Sequence, residues 1–325
     1  MALTLAEAKV GYADKVEQNV IDEFRRSSIL LDKLTFDDTI SPTGGSNLVY
    51  GYQRLETPST AAVRQINSEY SPNEAKRTKC TASPVILGGS FQIDRVIAQT
   101  SGAINEMNFQ IKEKTKAGAN YFHNLVINGT SASTGTGYVP NTFDGLKKIL
   151  TGKSTEMTTD IDISTSALLD SNYNALLDEL DTFIALLAAK PDVLMMNSKM
   201  LTKVKSAARR AGYYDRNKDD FGRTVETYNG IILMDAGQYY NGSTTEDVVS
   251  TSTPGSDAYG TTDIYAAKLG LDAFHGISVD GSKMLKTYLP DLQAPGEVEL
   301  IAGAVLKNSK MAGVLKGIKL LGKTA

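Results

Sequence analysis

The chain places a long charged hairpin arm, about residues 46–94, directly before a long amphipathic helix, about residues 102–127. Two strands alone are only marginally stable in water, because they bury too little apolar surface. An arm of this length is therefore stable only where it lies on another surface. We expect that surface to belong to another copy of the same chain, so this pair of elements predicts an assembly.

The arm is marked by a change of pattern after the breaker Pro42-Thr43-Gly44-Gly45. Extended residues follow, and the motif Ser71-Pro72-Asn73-Glu74 is predicted to reverse the chain. Proline presets its own backbone angle, and asparagine tolerates the tight conformation that follows. The chain then returns through the basic run Lys76-Arg77-Thr78-Lys79. A hairpin with a basic return strand is the result.

The charges on the arm allow two interpretations. They could provide solubility at a sheet edge, or they could pair with an acidic neighbour. We favour pairing, because the arm needs a supporting surface in any case. The residues predicted to make contacts between subunits are Arg64, Glu69, Lys76, Arg77 and Lys79.

The helix after the arm has one apolar stripe at helical spacing. Its predicted core residues are Ile104, Met107, Ile111, Phe122 and Leu125. At about 1.5 Å per residue the helix spans roughly 39 Å, which is longer than most helices in globular domains. Asn128-Gly129 is predicted to end it in the left-handed conformation that is common at helix termini.

The remaining segments frame these two elements. Residues 5–34 approximate an amphipathic helix and are predicted to form an N-terminal arm on a neighbouring surface. Farther along, helices and strands alternate as in an α/β region, where Asn197 caps a helix that Gly212 closes. Asn229-Gly230 predicts a tight turn into a strand. Residues 238–262, rich in Gly, Ser and Thr, predict an exposed loop or insertion. Further strands are predicted at 264–269, 277–279, 299–306 and 312–321.

Composition excludes several classes of protein. The 325 residues are 41% hydrophobic and 22% charged, as in globular proteins, which excludes disorder of the whole chain. Lys plus Arg total 34 against 37 Asp plus Glu, so no global basic field attracts nucleic acid or an acidic membrane. Cys80 is the only cysteine, so no disulfide within the chain is possible. No apolar stretch is long enough to cross a bilayer, and the start lacks a signal peptide, so we expect a soluble, unexported protein.

The motifs of enzymes are all incomplete. Gly152-Lys153-Ser154-Thr155 lacks the earlier glycine of a phosphate-binding loop. A calcium-loop template is matched by Asp215, Asn217, Asp219 and Glu226, but Asp220 stands where the loop needs glycine. The two histidines, His123 and His275, have no partner at ligand spacing. We therefore predict no catalytic residue, no cofactor and no metal site.

Two motifs then connect the arm and the helix to a known family. Pro84-Val85-Ile86-Leu87-Gly88-Gly89 leads into Phe91-Gln92-Ile93-Asp94-Arg95, and the helix end Asn128-Gly129 is followed by Phe143-Asp144-Gly145-Leu146. In this order of elements the chain resembles the major capsid proteins of tailed bacteriophages. The resemblance implies an α+β protein with the Hong Kong-97-type capsid fold: an N-terminal arm, an extended β-hairpin loop, a peripheral domain with a long spine helix, and an axial α/β domain.

The resemblance also implies a domain division and a function. The expected segments are an N-terminal arm at 1–45, the extended loop at 46–94, the peripheral domain at 95–163, the axial domain at 164–280 and a return to the peripheral domain at 281–325. The expected function is a structural subunit that forms hexamers and pentamers of an icosahedral shell around double-stranded DNA. Portal, scaffold or decoration proteins would be its partners, with assembly in the host cytoplasm. Alternatives are an encapsulin-type compartment shell and, less favoured, a metal-dependent enzyme.

Some members of this family crosslink a loop lysine to an asparagine with help from a buried glutamate. Lys76 and Lys79 could supply the lysine, but Ile301 and Ala302 stand where the glutamate is expected, and Asn308 is the only nearby asparagine. We predict no autocatalytic crosslinking. Others begin with a cleaved scaffolding segment of about a hundred residues, for which the chain has no room before its arm. Either a separate scaffold protein serves or this is a mature form, and Met1 favours the separate scaffold.

Overall fold

The computed structural model describes residues 30–39, 49–93, 106–131, 142–212, 215–218, 224–256, 258–279, 286–288 and 296–323. The predicted N-terminal helix therefore lies mostly outside the described residues, and so does Ile104. Of the first segment, only a short helix and one strand are described.

The described chain contains five α-helices, one 3-10 turn at Ser309–Met311, and sixteen strands. The helices are α1 (Leu30–Lys33), α2 (Glu106–Asn128), α3 (Leu146–Leu150), α4 (Ser166–Ala185) and α5 (Ser198–Ala211). The strands are β1 (Phe36–Asp38), β2 (Tyr50–Thr57), β3 (Lys76–Ala82), β4 (Val85–Phe91), β5 (Glu156–Thr158), β6 (Val193–Met196), β7 (Asp215–Lys218), β8 (Thr224–Tyr228), β9 (Ile231–Asp235), β10 (Gln238–Tyr240), β11 (Thr245–Asp247), β12 (Gly260–Ala267), β13 (Phe274–Ser278), β14 (Lys286–Tyr288), β15 (Gly296–Leu306) and β16 (Ala312–Leu321).

A five-stranded sheet carries the long helix. Its strand order is β1-β13-β15-β14, and β4 also pairs with β15. Strand β1 runs parallel to β13, whereas β15 is antiparallel to β13, β14 and β4. Helix α2 packs against β4 and β15, so Phe122 and Leu125 join Leu87 and Leu300 in one apolar cluster.

A seven-stranded sheet, in the order β5-β16-β12-β6-β9-β8-β7, forms the other layer. Strand β6 lies at its centre, and all four of its residues are buried. Leu194 and Met196 pack in the cluster of α4 and α5, while Val193 and Met195 pack in the cluster of α2 and α3. Since successive side chains point to opposite faces, both faces of this sheet are covered.

Several local predictions are correct because they depend only on neighbouring residues. The Asn197 side chain accepts a hydrogen bond from the Met200 backbone, and Gly212 ends α5 with φ 77°. Asn229 and Gly230 both have positive φ, 50° and 70°, between the antiparallel strands β8 and β9. Two positive φ angles in a two-residue loop define the hairpin turn that the Asn-Gly pair favours.

Two other predictions are wrong, and a third is correct only in part. The arm does not reverse at Ser71-Pro72-Asn73-Glu74; its tip turns at Gln65–Ser68, where the Ser68 N–H donates to the Gln65 carbonyl and Asn67 has φ 66°. Neither Asn128 nor Gly129 is left-handed. Residues 238–262 are an exposed loop only in part, because β10 and β11 form a hairpin and the following Val248 and Val249 are buried.

The two sheets divide the chain differently from the predicted segments. Strand β13 falls within the predicted axial segment 164–280, yet it pairs with β15 in the five-stranded sheet. Strand β16 falls within the predicted peripheral segment 281–325, yet it pairs with β12 in the seven-stranded sheet. Periodicity identifies a strand but not its partners, so the sequence did not reveal this exchange.

Candidate assembly arm and its root

The arm is a two-stranded hairpin in which β2 and β3 pair only with each other among the described strands. Residues 58–75 connect them without regular structure, and every one of them is exposed. Val63 is 100% exposed and Ile66 is 93% exposed, with Leu55 and Tyr70 also largely exposed. A tip that presents apolar side chains to solvent is typical of a surface that contacts another protein.

The tip nevertheless has internal order. The Arg64 guanidinium donates to the Ser68 carbonyl at 3.0 Å and lies over the Tyr70 ring, 5.6 Å from its centroid. The Thr60 N–H donates to the Asn73 side-chain oxygen at 3.3 Å, which ties the two sides of the tip together. These contacts give the tip a shape while they leave Val63 and Ile66 free to contact a neighbour.

All five predicted contact residues are exposed on the arm. Arg77 pairs with Leu55 and Lys79 with Gln53 across the ladder. Because alternate residues of a strand share a face, Arg77 and Lys79 lie on one face of the hairpin and Lys76 on the other. The structure thus brings together two of the three basic residues that lie in β3, and it places Arg64 and Glu69 on the tip.

The root of the arm is held by two side chains that the sequence did not single out. Arg54 donates from Nε to the carbonyl of Lys307 and from Nη2 to that of Leu306, each at 2.9 Å. The Tyr50 hydroxyl donates to the Asp37 carboxylate at 2.6 Å. Burial, together with Asp37, raises the pKa of Tyr50. These partners lie as far as 253 positions away, so no local pattern could have revealed them.

A close approach of main chains joins the end of α2 to Phe143-Asp144-Gly145-Leu146. The Gly129 N–H donates to the Leu125 carbonyl at 2.9 Å, and the Gly145 N–H donates to the Gly129 carbonyl at 2.8 Å. A Cβ at Gly129 would lie 2.5 Å from the Leu125 oxygen, and one at Gly145 would lie 2.6 Å from the same oxygen. Glycine is therefore required for close packing and not for a left-handed angle.

The other residues of this junction fill and anchor it. Phe143 packs on Phe122 with ring centroids 6.0 Å apart, and Leu146 is fully buried at the start of α3. The Asp144 carboxylate accepts from the Ser131 N–H and hydroxyl, each at 2.7 Å. Burial raises the pKa of Asp144, but the Ser131 and Lys148 hydrogen bonds outweigh it and hold that pKa below its ordinary value.

The predicted core residues of α2 differ along the helix. Phe122 and Leu125 are buried at its C-terminal end, whereas Met107 and Ile111 are half-buried. Residues 122–127 are all buried, so the last turns of the helix are covered on every side up to the exposed Asn128. Asn128 donates to the Asn124 side chain at 2.8 Å and to the Val248 carbonyl at 2.7 Å, which joins α2 to the segment after the β10–β11 hairpin.

Three of the four residues that match the calcium template lie on paired strands. Asp215 and Asn217 lie in β7, and Glu226 lies in the antiparallel partner β8 and pairs with Lys205. Asp219 lies outside the described residues. Within the ranges that are described, no cluster of three His, Cys, Asp or Glu side chains could hold a metal ion. The described helices likewise include none that is long and apolar enough to cross a membrane.

The positions considered for crosslinking have ordinary structural roles. Ile301 pairs with Ile86 and Ala302 with Val85 between β15 and β4. The Asn308 side chain accepts from the Lys310 N–H at 3.0 Å and caps the 3-10 turn. The Asn308 side-chain oxygen is therefore used in a local hydrogen bond at the start of the 3-10 turn.

A hairpin arm, a long helix under a five-stranded sheet and a mixed sheet with two helices define the Hong Kong-97-type capsid fold. The predicted α+β fold class is confirmed by comparison with known proteins. The family described as SU10 major capsid protein matches residues 74–232. The chain is therefore similar to the major capsid proteins of tailed bacteriophages, as its sequence motifs predicted.

Solved structures of capsid shells share this fold over almost the whole chain. The SrpI encapsulin of Synechococcus elongatus PCC 7942 has a TM-score of 0.68 at 11% identity, with 100% of this chain and 99% of that chain covered. The capsid of the native GTA particle has a TM-score of 0.59 at 11% identity, with 98% and 99% covered. The capsid of Myoviridae phage XM1 has a TM-score of 0.56 at 12% identity, with 94% and 96% covered. The search of curated proteins found no match.

Proposed function

We propose that this chain is the structural major capsid protein of a tailed bacteriophage. The observation that carries the proposal is an arm, on a capsid fold, whose apolar tip is solvated in the single chain. Val63 and Ile66 are almost fully exposed. Burial of such side chains contributes roughly 1.5–3 kcal/mol each, so a surface that covers the tip is strongly favoured.

In this proposal each arm lies on a neighbouring copy. Contacts between an arm and a different surface are head-to-tail, and head-to-tail contacts close into rings where the rotation between subunits closes. The rings are hexamers and pentamers, which together form an icosahedral shell around double-stranded DNA. A net charge of -3 suits such a container, because a strongly basic inner surface would retain the DNA.

The remaining expectations belong to the same proposal. The segments 1–45, 46–94, 95–163, 164–280 and 281–325 serve as N-terminal arm, extended loop, peripheral domain, axial domain and return, with the exchange of β13 and β16 described above. The chain has no catalytic role. It is assembled in the host cytoplasm with portal and scaffold or decoration proteins, and it remains in the virion without covalent crosslinks.

Electron microscopy of the purified full chain tests this function. We expect closed shells with capsomers of five and six subunits. A stable, unassembled monomer would contradict the proposal. Replacement of residues 58–75 by a short Gly-Ser bridge should leave a folded chain that fails to close shells, because β2, β3 and the Arg54 root are retained. The matched control replaces the exposed β10–β11 turn, residues 241–244, in the same way and should still assemble.

The second candidate is an encapsulin-type compartment. The similarity to the SrpI encapsulin over the full length of both chains favours it. The two candidates differ in their contents, since a phage shell encloses DNA and a compartment encloses protein. Shells purified from the native source and tested by nuclease digestion and protein gel would separate them.

A further inference from the structure

The two histidines of the chain lie at two roots, that of the extended arm and that of the N-terminal segment, of which residues 30–39 are described. His123, on α2, contacts α1, which belongs to the N-terminal segment. His275, in β13, contacts the ring of Tyr50, the first residue of β2. The side chains are 3% and 0% exposed. Each root thus contains a buried histidine, a side chain that can gain a proton. Contacts between subunits do not need such a residue there.

His123 holds α1 through a hydrogen bond that needs a neutral ring. The Leu31 backbone N–H donates to its Nε2 at 3.3 Å. An imidazole nitrogen accepts a hydrogen bond only while it carries no proton, so the neutral ring has its proton on Nδ1. Protonation would set one N–H against another. Burial lowers the pKa of His123 to about 4, and Asp32 on α1 is the charged group that opposes this effect.

His275 holds the Tyr50 end of the arm by packing. The two rings meet edge to face with centroids 5.7 Å apart. Burial and then the charge of Lys307 lower the pKa of His275 to about 4, against opposing effects of Asp37, Asp272 and the Ala273 backbone. The Lys307 ammonium already lies 5.4 Å from the Tyr50 centroid, so protonation of His275 would bring a second cation to the same root.

We propose that the two histidines make both roots acid-sensitive. When a ring gains a proton, it releases the segment that it contacts, residues 30–39 for His123 and residues 50–57 for His275. A histidine whose pKa is lowered in the closed root stabilises that root fully above its ordinary pKa of about 6.5. The stability falls as the pH drops from there toward about 4. The opening equilibrium should therefore rise by up to about tenfold per pH unit, or about 20-fold between pH 7 and pH 5.

Both contacts lie within one chain, so the proposal does not depend on shell formation. Hydrogen exchange with mass spectrometry, performed on the full chain at pH 7 and pH 5, measures it. Protection factors remove the intrinsic effect of pH on exchange. We expect protection to fall about 20-fold in residues 30–39 and 50–57. The segment 193–196 at the centre of the seven-stranded sheet should keep its protection.

The variants assign each effect to one ring. His123→Gln keeps an oxygen acceptor without titration, so residues 30–39 should lose their pH response while residues 50–57 keep theirs. His275→Phe keeps a ring and should give the reverse. If either substitution already opens its root at pH 7, His123→Asn and His275→Gln replace it. An unchanged wild-type protection at pH 5 would overturn the proposal, and so would a variant that loses protection with acid as the wild type does.

Discussion

The guanidinium of Arg54 donates to the backbone carbonyl of Lys307 at 2.9 Å and so sets the direction in which the extended arm leaves the body. A second bond to Leu306 makes the contact two-pronged. Hydrogen bonds from a charged donor contribute roughly 1.5–3 kcal/mol each, less where solvent screens them. We expect Arg54→Ala to leave the body folded, to release the arm root, and to reduce shell yield in a sedimentation assay.

Two controls define what that result means. Arg54→Lys keeps the charge but not the planar fork, so it should retain an intermediate yield. Arg64→Ala removes an arginine of the tip and leaves the root intact. If Arg54→Ala assembled as well as the wild type while Arg64→Ala did not, the anchor would be unimportant and only the tip would matter.

Gly145 provides a test of the junction between α2 and α3. A Cβ at this position would lie 2.6 Å from the Leu125 oxygen and 2.7 Å from both the Gly129 nitrogen and the Ile127 oxygen, which are all main-chain atoms. Gly145→Ala should destabilise the protein by roughly 1–3 kcal/mol, because backbone cannot move aside cheaply. Gly255→Ala is the control, since its Cβ would meet only Ala258 at 3.9 Å. Equal thermal midpoints for the two variants would contradict the close-packing argument.

Structural features that depend on neighbouring residues could be predicted from the sequence, and features that depend on distant residues could not. The Asn197 cap and the Asn229-Gly230 turn were predicted correctly, because each depends on a few consecutive residues. Gly129 was assigned to a left-handed terminus, since a local rule cannot show that Phe143 and Leu125 approach it. Composition likewise suggested an exposed loop at 238–262. There the Val248 carbonyl is an acceptor for α2, which only the folded chain reveals.

The same distinction applies to the features of the arm. Its exposed charges were predicted, because a charged hairpin without a core can be identified from pattern alone, whereas the apolar tip around Val63 and Ile66 was not. Its root was missed, because Tyr50 and Arg54 meet partners from β1, β13 and the end of β15. Both histidines were interpreted as isolated, since sequence spacing could not show that each lies under an arm.

Asn197 should be among the most sensitive polar positions of the described chain. Its oxygen accepts from the Met200 N–H at 2.8 Å, and its amide donates to Thr262 at 2.8 Å and to Val249 at 3.2 Å. Asn197→Ala removes a helix cap and leaves buried partners unsatisfied, so it should cost about 2–4 kcal/mol in urea unfolding. Thr165→Ala at the exposed cap of α4 is the comparison and should cost about 1 kcal/mol. Similar costs for both would show that burial of the Asn197 network adds nothing.

Acid should destabilise the whole fold in a defined window. His123 and His275 have pKa values of about 4 in the folded chain, below the ordinary 6.5. The unfolded chain therefore binds up to two more protons between pH 6.5 and 4, and the free energy of unfolding falls as pH drops, by at most about 2.7 kcal/mol per unit.

The Glu156 carboxylate acts in a lower window. A hydrogen bond from Lys316 holds the pKa of Glu156 below its ordinary 4.5, so its contribution is present above that value and is lost only at lower pH. Urea unfolding between pH 6.5 and 5 thus separates the histidines from Glu156. Burial raises the pKa of Asp263, so protonation of that carboxyl acts in the opposite sense and cannot produce the loss of stability. The double variant His123→Gln with His275→Phe should show a nearly flat stability in this range. A slope equal to that of the wild type would mean that other groups take up the protons.

The apolar tip of the arm offers the most direct test of why the arm exists. Val63 and Ile66 are 100% and 93% exposed, so their replacement by Ser removes no contact within the chain. Val63→Ser with Ile66→Ser should therefore leave the free energy of unfolding within about 0.5 kcal/mol of wild type. If a neighbouring copy buries these side chains, assembly loses roughly 3–6 kcal/mol per subunit, and the protein concentration needed for shells rises steeply.

The control is Leu186→Ser with Leu271→Ser, which changes two side chains that are 43% and 46% exposed outside the arm. Light scattering across a concentration series measures the threshold for shells. A threshold that rises for the tip variant alone supports burial of the tip, whereas equal thresholds for both variants would mean that the arm is held by its charges and not by its apolar side chains.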